Sequence, residues 1–174
     1  MAQQVSTSNS RVGRLIRQAE GYLELGLPGH AAEVLAKKFE LVNSSARASY
    51  LLGESLREME CYSEAVAPLE RSLALVPDDL HTHLALAWCY KRTRRLAEAI
   101  ETLEEALQCE PFEAILHYNL ACYWSLARQR KRALRSLSKA LDLDLNYLDL
   151  IPTESDFDPL RDDPEFQLIT SVIV

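Results

Sequence analysis

A spacing of 34 residues constrains this chain more than any other feature of it. Gly53, Ala87 and Ala121 stand one period apart, and so do Leu52, Leu86 and Leu120. Ala65, Ala99 and Ala133 follow the same interval, as do Leu69, Leu103 and Leu137, and Leu73, Leu107 and Leu141. Counting backwards, the same offsets reach Ala19, Ala31, Leu35 and Phe39. Four frames result, beginning at Val12, Ala46, Leu80 and Ala114, with no insertion between them. A period of this length marks a fold assembled by stacking similar units, each too small to bury its own apolar face.

Each frame reads as two helices. In the third, Leu80, Leu84, Ala87 and Trp88 recur at three- and four-residue steps, and Leu96, Ala99, Ile100, Leu103, Ala106 and Leu107 repeat the pattern. Polar KRTRR separates them, and Pro111 ends the second helix because it lacks a backbone N–H and clashes with the preceding turn. The eighth place of each frame is small (Ala19, Gly53, Ala87, Ala121), which lets paired helices approach to roughly 8–10 Å. The eleventh place is bulky (Tyr22, Leu56, Tyr90, Trp124) and is expected to fill the space left beside that close approach.

These residues resemble the tetratricopeptide repeat family, whose 34-residue pattern combines such small, bulky and alanine positions with a closing proline. The resemblance covers residues 12 to about 147. The aromatic expected at the fourth place is instead Leu15, Ser49, His83 and His117, and the closing proline is Pro77 and Pro111 but Asn43 and Leu145 in the outer copies. The resemblance implies an all-α, right-handed α-solenoid of four helix pairs plus C-terminal capping helices. The expected organisation is a flexible polar N-terminus over 1–11, repeats over 12–45, 46–79, 80–113 and 114–147, and a cap over 148–174. In the cap, Asp158-Pro159 and Asp163-Pro164 each read as an N-cap followed by proline in the first helical position. Phe157, Leu160, Phe166 and Ile169 are expected to cover the last repeat. The string DFDPLRDDPEF resembles a segment that follows the final repeat in bacterial proteins of this family.

Composition excludes several functions. A formal net charge of −7 argues against a dedicated DNA binder. No run of apolar residues is long enough to span a bilayer, and the N-terminus lacks the charge and apolar core of a secretory signal. The 4 cysteines lack CxxC spacing. The expectation is a reduced, cytoplasmic protein, monomeric or weakly homodimeric, with no cofactor and no membrane insertion.

No catalytic constellation emerges, so the chain is not expected to be an enzyme. Gly53-Glu54-Ser55 lacks the second glycine of a nucleophile elbow. His81 and His83 point about 200° apart on a helix and cannot share an ion. Asp156, Asp158 and Asp162 resemble the start of a calcium loop but lack its glycine and terminal glutamate. The sequence therefore assigns neither a catalytic nor a metal site.

What remains is surface. In the family, the first helix of each repeat lines a concave groove. The matching positions here are Arg47, Tyr50, Glu54 and Arg57, then His81, Leu84, Trp88, Lys91 and Arg92, then Tyr118, Asn119 and Cys122. Tyr50, Trp88 and Tyr118 form an expected aromatic line with polar neighbours, suited to a peptide or protein partner. The carboxylate clamp of chaperone-tail binders is missing, since Glu54 would repel a terminal carboxylate. A second expected surface is a basic edge of Arg94, Arg95, Arg128, Arg130, Lys131 and Arg132. The leading reading is a non-catalytic interaction module or scaffold. The alternatives are a secretion-type tetratricopeptide chaperone, or an adaptor that takes an acidic partner or RNA along the basic edge.

Overall fold

In the computed structural model the backbone is described over residues 2–171 and the side chains over residues 11–171. The side chains of residues 1–10 of the expected polar N-terminus, and residues 172–174, lie outside the described residues. All regular structure among the described residues is helical. The chain divides into two compact units, residues 1–94 and 95–174, with the division inside the third expected repeat.

The first unit holds α1 (Ala2–Glu24), α2 (Pro28–Ala36), α3 (Phe39–Asn43), α4 (Ala46–Glu58), α5 (Tyr62–Leu75) and α6 (Leu80–Arg92). Helix α4 packs on α5, α5 on α6, and α2 on both α1 and α4. At Gly53 the approach is so close that an added Cβ would lie 2.5 Å from Leu69 Cγ. That contact explains the smallest side chain at the eighth place. Ser45 caps α4 by accepting from Ala48 N–H at 3.3 Å, and Asp79 caps α6 by accepting from Thr82 N–H at 3.1 Å.

Two features of this unit differ from the sequence expectation. Helix α1 begins at Ala2, well ahead of Val12, because no proline or glycine precedes Gly13 to interrupt it. The second helix of the first frame is broken: α2 stops at Ala36, and Lys38 leaves helical geometry at φ −125°, ψ 44°. Phe39, one period before Leu73, is consequently 66% exposed, and Val42 is buried beside Leu35.

The second unit holds α7 (Leu96–Cys109), α8 (Ala114–Leu126) and α9 (Arg130–Leu143), two 3₁₀ segments (Leu145–Thr153 and Ser155–Leu160) and α10 (Pro164–Ser171). Helix α8 packs on α7, on α9 and on the second 3₁₀ segment, while α9 packs on the first 3₁₀ segment and on α10. Phe157, Leu160 and Phe166 are buried as expected, and Ile169 is half-buried.

The 34-residue interval is also written in the backbone. Gly26, Glu60, Arg94 and Arg128 have φ of 68°, 61°, 65° and 58°, each in the turn after the first helix of a frame. Leu27, Cys61 and Gln129 then donate back to Tyr22, Leu56 and Trp124 carbonyls at 2.9 Å, closing the helix ends in left-handed C-caps. Only the first of the four turns uses glycine.

Candidate functional site

The expected groove residues of the first unit come together on α4 and α6, with α1 alongside. Arg47, exposed, reaches Glu20 on α1 through Nη2 at 2.7 Å and Nε at 2.9 Å. Its guanidinium also lies 5.4 Å from the centre of the Tyr50 ring. Tyr50 is half-buried, and its hydroxyl is held above the usual phenol range, chiefly by burial and then by the Glu54 charge. One turn on, Arg57 makes a two-pronged pair with Glu54 at 2.6 and 2.7 Å. That hydrogen bonding strengthens the Arg57 guanidinium against deprotonation despite its burial. Glu20 and Glu54 thus serve to fix arginines, and the face presents oriented polar groups.

Trp88 stands apart from its neighbours on α6. Ala85, Leu86, Ala87, Cys89 and Tyr90 are all buried, whereas the indole is 36% exposed, with Lys91 Nζ 5.1 Å from its ring centre. Leu84 is half-buried and His81 exposed on the same helix. Beneath them, burial pushes the Cys89 thiol up to about 11, so it remains protonated at neutral pH.

Three expected groove residues are placed otherwise. Arg92 stacks at 4.6 Å over Tyr62, the first residue of α5, and so belongs to the turn side of the unit. Tyr118 and Cys122 are buried in the second unit, at 5% and 2% exposure. The segment after α9 covers them: Tyr147 stacks on Tyr118 at 4.7 Å, and Phe157 meets it edge-on at 5.8 Å. Asn119, next to Tyr118 on α8, is half-buried. Phe157 covers the last repeat as expected, but the groove positions give no sign that it and Tyr147, the last residue of the fourth frame, close over Tyr118.

Half of the six basic-edge residues are engaged within their own unit. Arg130 is paired with Asp163 and with Glu165, and Arg95 donates to Glu98 at 3.0 Å. Arg132 lies 4.5 Å over the Trp124 ring. Arg94 and Arg128 are exposed in the left-handed turn positions, and Lys131 is exposed at the start of α9. Trp124, expected to fill packing space, is half-buried. It borders an open hollow of about 730 Å³ with His117, Arg132, Arg135 and Lys139.

The histidines meet backbone carbonyls. His83 Nδ1 lies 3.1 Å from Asp79 O, and His117 Nε2 lies 2.9 Å from Pro111 O. Cys109 is exposed near the end of α7. No helix among the described residues is long and apolar enough to cross a membrane.

Comparison with known proteins agrees with this architecture. The family model described as tetratricopeptide repeat matches residues 44–109. Solved structures of the same fold extend further along the chain. A crystal structure of MamA has TM-score 0.74 at 23% identity, covering 85% of this chain and 86% of that one. MamA from Desulfovibrio magneticus has TM-score 0.73 at 17% identity, with 92% and 93% covered. YrrB, described as a tetratricopeptide-repeat protein with an unusual peptide-binding site, has TM-score 0.72 at 21% identity, with 78% and 70% covered. No curated protein matches the sequence. Residues 44–109 therefore carry tetratricopeptide repeats, and the fold along most of the chain is that of solved structures built from such repeats.

Proposed function

We propose that this chain is a non-catalytic interaction module that takes a peptide or protein segment on the α4–α6 face of its first unit. The observation that carries the reading is Trp88, a large aromatic left exposed among buried neighbours and flanked by a lysine. An indole at the centre of a polar frame is the composition of an interface anchor: the ring supplies apolar area, and surrounding donors fix direction. Arg47, Tyr50, Glu54 and Arg57 supply that frame, already ordered by ion pairs before any partner arrives. The peptide-binding description of YrrB, a protein of the same fold, agrees with this use. The expected line of three aromatics shortens to Tyr50 and Trp88, because Tyr118 is buried.

The experiment is affinity capture from the native cell with the full chain as bait, wild type against Trp88→Ala. Partners recovered by wild type and lost with the variant support the reading. A set of partners identical for both baits contradicts it.

A further inference from the structure

The second unit brings together donors that the sequence keeps far apart. Cys122 lies on α8, whereas Glu154 and Asp156 stand at the start of the second 3₁₀ segment. One ligand atom from each, the Cys122 sulfur and a carboxylate oxygen from each acid, lies within 4.8 Å of the other two. Cys122 and Asp156 are buried, and Glu154 is half-buried. A thiol and two carboxylates gathered in the interior are costly as anions unless a cation or proton compensates them.

A separate observation points into the same place. The Tyr118 hydroxyl is buried and has no hydrogen-bond partner. A phenol oxygen buried without a partner loses its hydration for nothing in return. Tyr118 and Cys122 are four apart on α8 and share its face. Cys122, Glu154, Asp156 and Tyr147 all lie near enough to that hydroxyl to act on it electrostatically.

We propose that Cys122, Glu154, Asp156 and the Tyr118 hydroxyl form a site for a divalent transition-metal ion of the zinc type. The donor chemistry selects the class. A thiolate ligand favours zinc and its neighbours over magnesium and calcium, which take oxygen-only sets. One sulfur and three oxygens suit a four-coordinate ion with bonds of about 2.3 Å to sulfur and about 2.0–2.2 Å to oxygen. The surroundings hold the donors in place. Glu154 Oε1 accepts from Asp156 N–H at 3.0 Å, which orients that carboxylate. Arg161 Nη2 donates to Glu154 O at 2.8 Å, and Phe157, fully buried, locks the segment against Tyr118. An ion there would fasten the chain after α9 to α8 and would displace the thiol proton, so affinity should rise with pH. This site is independent of the α4–α6 face.

The test titrates Co²⁺ into the full-length chain after chelator treatment, with Zn²⁺ and Mg²⁺ in parallel. The expected result is a thiolate-to-cobalt charge-transfer band saturating at one ion per chain, displacement of cobalt by Zn²⁺ but not by Mg²⁺, and a melting temperature raised by Zn²⁺. Cys122→Ser should abolish the band, while a Cys61→Ser, Cys109→Ser double variant should keep it. Glu154→Gln, at a half-buried position that tolerates the change, should bind at least tenfold more weakly with an unaltered helical spectrum. Absence of the band in wild type, its survival in Cys122→Ser, or its loss in the Cys61, Cys109 variant would overturn the assignment. Should Cys122→Ser not fold, an undiminished affinity in Glu154→Gln would overturn it.

Discussion

Arg130, in the first turn of α9, donates through Nη2 to Oδ1 of Asp163 at 2.9 Å across 33 residues of chain. The same carboxylate caps α10 by accepting from Glu165 N–H at 2.9 Å and Phe166 N–H at 3.2 Å. Asp163 therefore joins the last helix to α9 through one charge. The Arg130 hydrogen bond, with the backbone donors, lowers its carboxyl from 3.8 to about 2.

A pH dependence follows from that depression. A carboxylate whose folded pKa lies below its unfolded value stabilises the fold fully above the unfolded value and loses the contribution as pH falls through the folded one. Here the window runs from about pH 4 down to about pH 2. Denaturant melts across that range should show a decline that is smaller in Asp163→Asn. Equal slopes for both proteins would remove Asp163 from the account.

The left-handed turns give a test of the backbone. An L-residue in that region costs roughly 1–2 kcal/mol, of which glycine's greater freedom in the unfolded chain offsets a part. Glu60→Gly, Arg94→Gly and Arg128→Gly should each raise stability by about 0.5–1 kcal/mol, an effect visible in urea midpoints. Lower midpoints would show that these turns are not held in the left-handed region.

Two glycines should respond in opposite directions to the same change. Gly53→Ala drives a Cβ against Leu69 and should cost about 1–3 kcal/mol, since a close helix seam does not relax freely. Gly21, inside α1, has open space where its Cβ would go, so Gly21→Ala should gain roughly 0.5–1 kcal/mol from helix propensity. Thermal melts of the two single variants separate close approach from propensity.

Much of the architecture was legible because the period repeats the same physical requirement. Pro77 and Pro111 mark where α5 and α7 end, and Ala65, Ala99 and Ala133 are fully buried, as helix contact demands. Phe39, one period before Leu73, is exposed because the break at Lys37–Lys38 resets the helix phase, and propensity does not mark that break. Tyr118 and Cys122 are buried because Tyr147 and Phe157 pack on Tyr118 and the Glu154–Asp156 stretch lies against Cys122; the sequence marked Phe157 as a cap without showing which groove positions the cap would close. Arg92 shows the limit of position counting at a helix end, where a long side chain turned to the nearest aromatic face, Tyr62. Trp88 kept its expected exposure among buried neighbours on α6.

The account stands or falls on Trp88. The most direct measurement is the dissociation constant of a captured partner for the wild-type chain and for Trp88→Ala, by calorimetry, with denaturant melts of both proteins alongside. Removing an anchor indole should weaken binding by about 2 kcal/mol, roughly thirtyfold, while a side chain already 36% exposed should cost the fold far less than a core aromatic does. An unchanged dissociation constant in a variant that remains folded would contradict the α4–α6 face as the binding surface.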